Sequence, residues 1–249
     1  MPEWTPTENQ ALERYFTSNW SEMTLFQRLS NIRSDRTYEA MTRKLRRMRE
    51  KGWIKKRDAA IKKLRVGHLD IEATHLKANF GYILTWYIKH DSQNEYEFAC
   101  INQKELHTGY RCDKRVISEL LVALKKFDVI WTHWGADRRF DMPYIRTRAF
   151  INGLQADLPL PGSMYLKDTW PIARNKLCLH RNSLMAIAMA LGVKNVKKTP
   201  LDPEQWISAA QGDAKALEYI LLHNRRDVQL LERVVHKLEP LCRLPMTSV

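Results

Sequence analysis

A chain of 249 residues, 44% hydrophobic and carrying a formal net charge of +13, is long enough for one large domain and a small one, and it needs no covalent staples to fold. Its four cysteines, Cys100, Cys112, Cys178 and Cys242, show no Cys-x-x-Cys spacing and no accompanying His pair, which excludes a zinc finger and reads as reduced thiols in a cytoplasmic compartment. No apolar run is long enough to cross a bilayer, and Met1-Pro2-Glu3-Trp4 lacks the basic and apolar regions of a signal peptide. The expectation is a soluble, intracellular protein with no membrane partner.

The first elements in chain order are three short helices between about residues 3 and 56. Thr5 is a candidate N-cap, with Pro6 at the first helical position and Glu8 three residues after the cap. A second helix is expected from about Ser21, with Leu25, Phe26 and Leu29 apolar. The third, over residues 37–51, places Ala40, Met41, Leu45 and Met48 on its inner side and Arg43, Lys44, Arg46, Arg47 and Arg49 mostly outside; Gly52 stops it. Charge is concentrated here. Residues 1–65 hold 16 Lys and Arg against 8 Asp and Glu, a net of +8 that leaves +5 for the remainder, and residues 43–65 hold 12 basic and 2 acidic side chains. Such a concentration favours a polyanionic partner, the alternative being a solvated helix face that binds nothing.

After a charged connector over residues 55–65 the texture changes. Residues 66–72, 80–89 and 96–102 read as successive strands, the second rich in β-branched and aromatic side chains. A helix over 114–126 leads to the apolar run Val129-Ile130-Trp131, which fits a buried strand entered by a crossover. Helices follow at 143–151, 183–191, 203–210 and 213–238. The fold class is therefore α/β, a mixed sheet flanked by helices, preceded by a small three-helix domain.

Five side chains carry the chemistry. Asp70 and Glu72 are two apart on the first of these strands and project from one face. Carboxylates held side by side repel unless a cation lies between them, and oxygen-only ligands select a hard ion such as Mg²⁺ or Mn²⁺. His223 and Asp227 are four apart on the long last helix and stack on the face that carries Ala216, Ile220, Leu231 and Val234, where a carboxylate needs a partner or a ligand. Taken alone, that pair reads first as a buried hydrogen bond between helices, and it is the other two elements that turn it toward a ligand. Asp141 follows the strand over 129–131 and opens a helix, with Pro143 tolerated in the first turn; it is either a ligand or the cap of that helix, and Asp137 is its rival.

A strand Asp-x-Glu, then strand-loop-Phe140-Asp141-x-Pro143-Tyr144, then a late helix with His223 before Asp227-Val228, resembles the DnaQ-like (DEDD) 3′-5′ exonucleases of the ribonuclease H-like fold. It is nearest to the proofreading domains of family B polymerases and to YprB-like nucleases. The resemblance covers roughly residues 64–238, with support from Asp168-Thr169, Ser183-Leu184, Leu191-Gly192-Val193, Trp206 and Gly212-Asp213. It implies that Asp70, Glu72, Asp141 and Asp227 bind two Mg²⁺ or Mn²⁺ ions, that His223 stands beside the attacking water, and that a nucleic acid is cut from its 3′ end to 5′-monophosphates, DNA being the leading expectation over RNA. One departure is His223 itself: at four residues before the last Asp it takes the place usual for Tyr, and unlike Tyr it can accept a proton near neutral pH. Arg146, Arg148, Arg174 and Lys176 are candidate phosphate contacts, and Trp134 or Tyr144 a stacking platform. The N-terminal segment, through Trp4-Thr5-Pro6-Thr7-Glu8, Trp20, Leu29 and Arg36-Thr37-Tyr38-Glu39-Ala40, resembles Myb-like or SANT-like helix-turn-helix domains. That implies a nucleic-acid-binding module over residues 1–58, with Arg43, Lys44, Arg46 and Arg47 facing phosphates, or a protein-binding one, ahead of a nuclease domain over 64–249. The competing functions are a structure-selective endonuclease and a non-catalytic DNA-binding adaptor.

Overall fold

The computed structural model describes residues 4–17, 29, 37–50, 64–160, 163–194, 199–200 and 202–242, and the chain divides into two compact units, Met1–Lys63 and Leu64–Val249. In the first unit, helices α1 (Pro6–Thr17) and α2 (Tyr38–Glu50) contribute to a small core of Ala11, Leu12, Leu29, Met41, Leu45 and Met48, with Trp4 packed against it. The start of α1 is the expected reciprocal cap: the Glu8 amide donates to Thr5 Oγ1 at 3.2 Å and the Thr5 amide to Glu8 Oε2 at 2.8 Å. The helix expected from Ser21 lies outside the described residues. On α2, Arg43, Arg46 and Arg47 are exposed, Arg43 lies 3.8 Å from Glu39, and the Lys44 ammonium sits 5.7 Å from the centre of the Trp4 ring.

The second unit is built on five strands, β1 (Val66–Ala73), β2 (Ile83–His90), β3 (Tyr96–Cys100), β4 (Val129–Thr132) and β5 (Tyr165–Asp168), in the order β3-β2-β1-β4-β5. The hairpin pairs β1-β2 and β2-β3 are antiparallel, whereas β1-β4 and β4-β5 are parallel, the mixed sheet expected from the sequence. Its helices are α3 (Gln103–Leu106), α4 (Lys114–Leu124), α5 (Asp141–Ile151), α6 (Thr169–Lys176), α7 (Leu184–Ala190), α8 (Pro203–Ala210) and α9 (Ala214–Cys242). Leu69 and Ile71 of β1 enter a core with Val116, Ile117 and Leu120 of α4 and Ile145 of α5. Val129 and Trp131 of β4 enter another with Ala173, Ile187, Leu231, Val234 and Leu238. Period-2 alternation along β1 thus sends one set of side chains into the first core and leaves His68, Asp70 and Glu72 for the face shared with α9.

Three differences from the expected elements have local causes. Residues 80–82 precede β2, and Gly81 packs so closely that a Cβ there would lie 2.7 Å from His75 Cβ and Tyr144 Oη. Strand β5 and helices α3 and α6, each of eight residues or fewer, are elements that the sequence pattern does not announce. Helix α9 continues past Leu238 to Cys242 although Pro240 lies inside it; so near the end, the missing N–H removes one hydrogen bond without stopping the helix.

Candidate metal centre

The centre is assembled from β1, α5, α8 and α9. Asp70 and Glu72 leave β1 on the α9 face, and the register shifts immediately after Glu72, so the strand breaks from its ladder where these two carboxylates are presented. The Glu72 carboxylate lies between two elements: Trp206 Nε1 on α8 donates to its Oε2 at 3.1 Å, and His223 Nε2 on α9 lies 3.6 Å from its Oε1. The same His223 nitrogen lies 3.5 Å from Asp227 Oδ2, so the helical spacing of four places an imidazole between two carboxylates. Trp206 holds the imidazole edge-on, with ring centres 5.2 Å apart and planes at 85°. One residue along α9, the buried Asn224 donates to Asp70 Oδ2 at 2.7 Å and accepts from Thr85 Oγ1 at 3.2 Å. Thr85 stands opposite Glu72 across the β1-β2 ladder, so Asn224 ties the orientation of Asp70 to the sheet.

Asp141 reaches the site from the first position of α5. Phe140 is the N-cap and no side chain caps the helix, so the capping role weighed for Asp141 is absent. Its carboxylate is buried, Oδ2 has no hydrogen-bond partner among the described residues, and burial, then the charges of Asp70 and Asp168, push its pKa well above the ordinary carboxylate value. A helix N-terminus favours an anion by a fraction of a kcal/mol up to about 2. Desolvation and two like charges outweigh it here. Only glycine at 135 leaves room for this carboxylate, since a Cβ there would lie 1.9 Å from Asp141 Oδ2.

The loop that delivers Asp141 is fastened by Asp168 at the end of β5. Asp168 Oδ1 accepts from the amides of Trp134 (2.9 Å) and Trp170 (2.8 Å), and Oδ2 from those of Gly135 (3.0 Å) and Ala136 (3.1 Å). Trp134 is thereby held with φ 61, a left-handed conformation unusual for a bulky residue. The sequence marked Asp168-Thr169 only as a supporting stretch; its role as anchor of the loop shows once β5 lies beside β4.

Asp137, the rival to Asp141, is exposed and pairs with Arg146, away from this cluster's hydrogen bonds. Two expectations are corrected. Arg148 is fully buried: its Nε and Nη2 donate to Asp113 at 2.8 and 2.7 Å, Nη1 donates to the Ala78 carbonyl and Nη2 also to that of Tyr110. It cannot contact a phosphate, because its donors are spent inside the fold. Tyr144 is likewise buried and offers no ring for stacking. Trp134 is 44% exposed, with Phe140 stacked at 6.5 Å and 12°, and Arg139 and Arg174 lie 4.3 and 5.3 Å over the ring of Trp170. The sequence gives Asn224 and Thr85 no role, although Asn224 directly follows His223, and it marks Trp206 only as a supporting position.

A buried carboxylate oxygen without a donor, beside further carboxylates, fits a hard divalent cation: the donors are oxygen, and the excess negative charge is what such an ion neutralises. Residues 68–239, a span that includes all five of these acid and His positions, match the model of the RNase_H superfamily. A DNA polymerase of Methanocaldococcus jannaschii is 29% identical over 104 residues, an alignment covering 34% of this chain and 6% of the polymerase, so the chain spans a small part of that relative's length. Among the described residues, no helix is long and apolar enough to cross a membrane.

Proposed function

Because the chain belongs to the RNase H superfamily, we propose that it is a metal-dependent 3′-5′ exonuclease of the DnaQ-like (DEDD) type, hydrolysing DNA to 5′-monophosphates. The observation that carries this reading is the Asp141 carboxylate, buried and without a donor to Oδ2, with the Asp70 charge acting on it and Glu72, His223 and Asp227 in contact across β1 and α9. Asp70, Glu72, Asp141 and Asp227 are the residues that would hold a pair of Mg²⁺ or Mn²⁺ ions, which supply a water of lowered pKa and positive charge for the leaving 3′-oxygen.

The protein's own groups do the rest. Asn224 and Trp206 each donate to one oxygen of Asp70 and Glu72, which restrains the two carboxylates and limits the reorganisation that accompanies reaction. Between Glu72 and Asp227, His223 is placed to orient a water or take its proton at Nε2. Trp134, half-exposed at the edge of the Asp141 loop, offers a face to a terminal base, and Arg139, Arg146 and Arg174 supply positive charge nearby. The N-terminal unit, through Arg43, Lys44, Arg46 and Arg47 of α2, adds a helix-turn-helix surface for the phosphates of longer DNA.

Incubating the protein with 5′-labelled single-stranded DNA and Mg²⁺ tests the proposal. A descending ladder that Asp70→Asn abolishes is expected. A single internal cut would instead make the protein an endonuclease, and an unchanged substrate in both Mg²⁺ and Mn²⁺ would make it a non-catalytic adaptor.

A further inference from the structure

Toward the start of β1, on the face that carries Asp70 and Glu72, four side chains from three segments of the chain converge. His68 lies on β1, Asp91 follows β2, and Glu232 and His236 lie one turn apart on α9. One ligand-type atom from each lies within 4.8 Å of all the others. Both imidazoles point at one oxygen: His68 Nε2 is 2.9 Å and His236 Nε2 2.8 Å from Asp91 Oδ1. This is a different constellation from the carboxylate centre. Nine residues of α9 separate Asp227 from His236, about 13 Å along the helix, and nitrogen enters the donor set.

We propose that His68, Asp91, Glu232 and His236 form a second metal site, selective for a borderline transition ion of the Zn²⁺ class, distinct from the oxygen-only centre around Asp70. The donor chemistry supports it. Two imidazoles with carboxylates suit Zn²⁺, Co²⁺ or Ni²⁺, whereas Mg²⁺ prefers oxygen and retained water. The spacing supports it as well. Ligands about 2.0–2.1 Å from a tetrahedral Zn²⁺ stand roughly 3.3 Å from one another, so the 2.8 and 2.9 Å contacts to Asp91 need only open by a few tenths of an ångström.

The surroundings permit the change. His68 is wholly buried; its Nε2 faces Asp91 Oδ1, which without an ion holds the ring proton there, while its Nδ1 has no hydrogen-bond partner among the described residues and no competing contact to give up. Moving that proton to Nδ1 frees Nε2 as a ligand, and the buried N–H this leaves costs less than a His–metal bond contributes. Lys89, the cation paired with Glu232, donates to the carbonyls of His90 (3.2 Å) and Gln93 (2.6 Å) as well as to Glu232 Oε1 (2.6 Å). It has backbone acceptors to keep if Glu232 turns toward an ion. His236 is half-exposed and gives access from solvent. An ion here would clamp the start of β1, the β2-β3 turn and the latter part of α9, the strand and helix that also carry Asp70 and Asp227.

The test uses the full chain carrying Asp70→Asn and Asp141→Asn, which weaken the other centre, stripped with EDTA and then dialysed against Zn²⁺ or Co²⁺ in the presence of millimolar Mg²⁺. The expected result is one Zn²⁺ retained per chain, a visible Co²⁺ absorption band typical of nitrogen and oxygen ligands, and a raised melting temperature with either ion. Adding His236→Ala, whose side chain is half-exposed and so should leave folding intact, should weaken Zn²⁺ binding by about 100-fold or more, since even loss of a residue supporting a metal ligand costs about 10–100-fold. Asp91→Asn should do the same. No retained ion in the parent, or unchanged Zn²⁺ affinity after His236→Ala, would overturn the proposal, and neither result depends on whether the protein cleaves DNA.

Discussion

Helix α5 carries an acidic and a basic side chain into the interior, and they are treated in opposite ways. Arg148 meets Asp113 in a fully buried pair in which both carboxylate oxygens are occupied: Asp113 accepts two bonds from the guanidinium, one from Asn152 and one from the Ile83 amide. Two turns earlier, Asp141 is buried beside other acids with Oδ2 lacking any donor among the described residues. A charge that serves the fold is closed off by its partners. The Asp141 carboxyl is left without such partners, and the fold bears the cost.

That contrast can be broken or sharpened at several points. The largest effect is expected at the open end: Asp70→Asn should reduce Mg²⁺-dependent cleavage to background while leaving the denaturation midpoint near the wild-type value, whereas Asp137→Asn, on an exposed pair, should cleave normally. Next, His223→Ala should lose about 10²–10⁴-fold in single-turnover rate, the usual contribution of a positioned acid-base group, with Mn²⁺ binding retained by calorimetry. His223→Tyr should recover part of that loss if orientation of water is the main requirement. At the closed end, Arg148→Met should cost about 3–5 kcal/mol in urea unfolding by stranding Asp113. A stable Arg148→Met protein would mean that Asp113 is no more dependent on a partner than Asp141.

The same contrast marks what could be read from the sequence. Strands β1 and β4 declare themselves by alternation and by an apolar run, and the spacings Asp70-x-Glu72 and His223-x-x-x-Asp227 fix which side chains share a face. The exposure of an arginine has no such signature. Arg148 and Arg146 look alike in the sequence, yet one is paired with Asp113, 35 residues away, and the other with Asp137 at the surface. Strand β5, Tyr165-Leu166-Lys167-Asp168, is a short edge strand without β-branched residues, so propensity does not reveal it. With β5 unseen, the four-amide anchor of Asp168 was unseen too. Asn224 was missed because its partners, Asp70 and Thr85, are brought to it only by the packing of α9 on the sheet.

The most direct test of the central claim, that Asp141 is an uncompensated ligand, is a melting experiment on wild type and Asp141→Asn in EDTA and in Mn²⁺. Because the folded-state pKa of Asp141 is raised above the ordinary carboxylate value, the folded protein holds this proton more tightly than the unfolded chain. Its stability therefore falls as pH rises through the window between the unfolded and folded values, and stays lowered above it. At pH 8 in EDTA, Asp141→Asn should melt above wild type, by about 2–4 °C for each kcal/mol of strain relieved, and the upward shift that Mn²⁺ gives wild type should be greatly reduced. An Asp141→Asn protein that melts below wild type in EDTA, yet gains as much from Mn²⁺, would contradict the account.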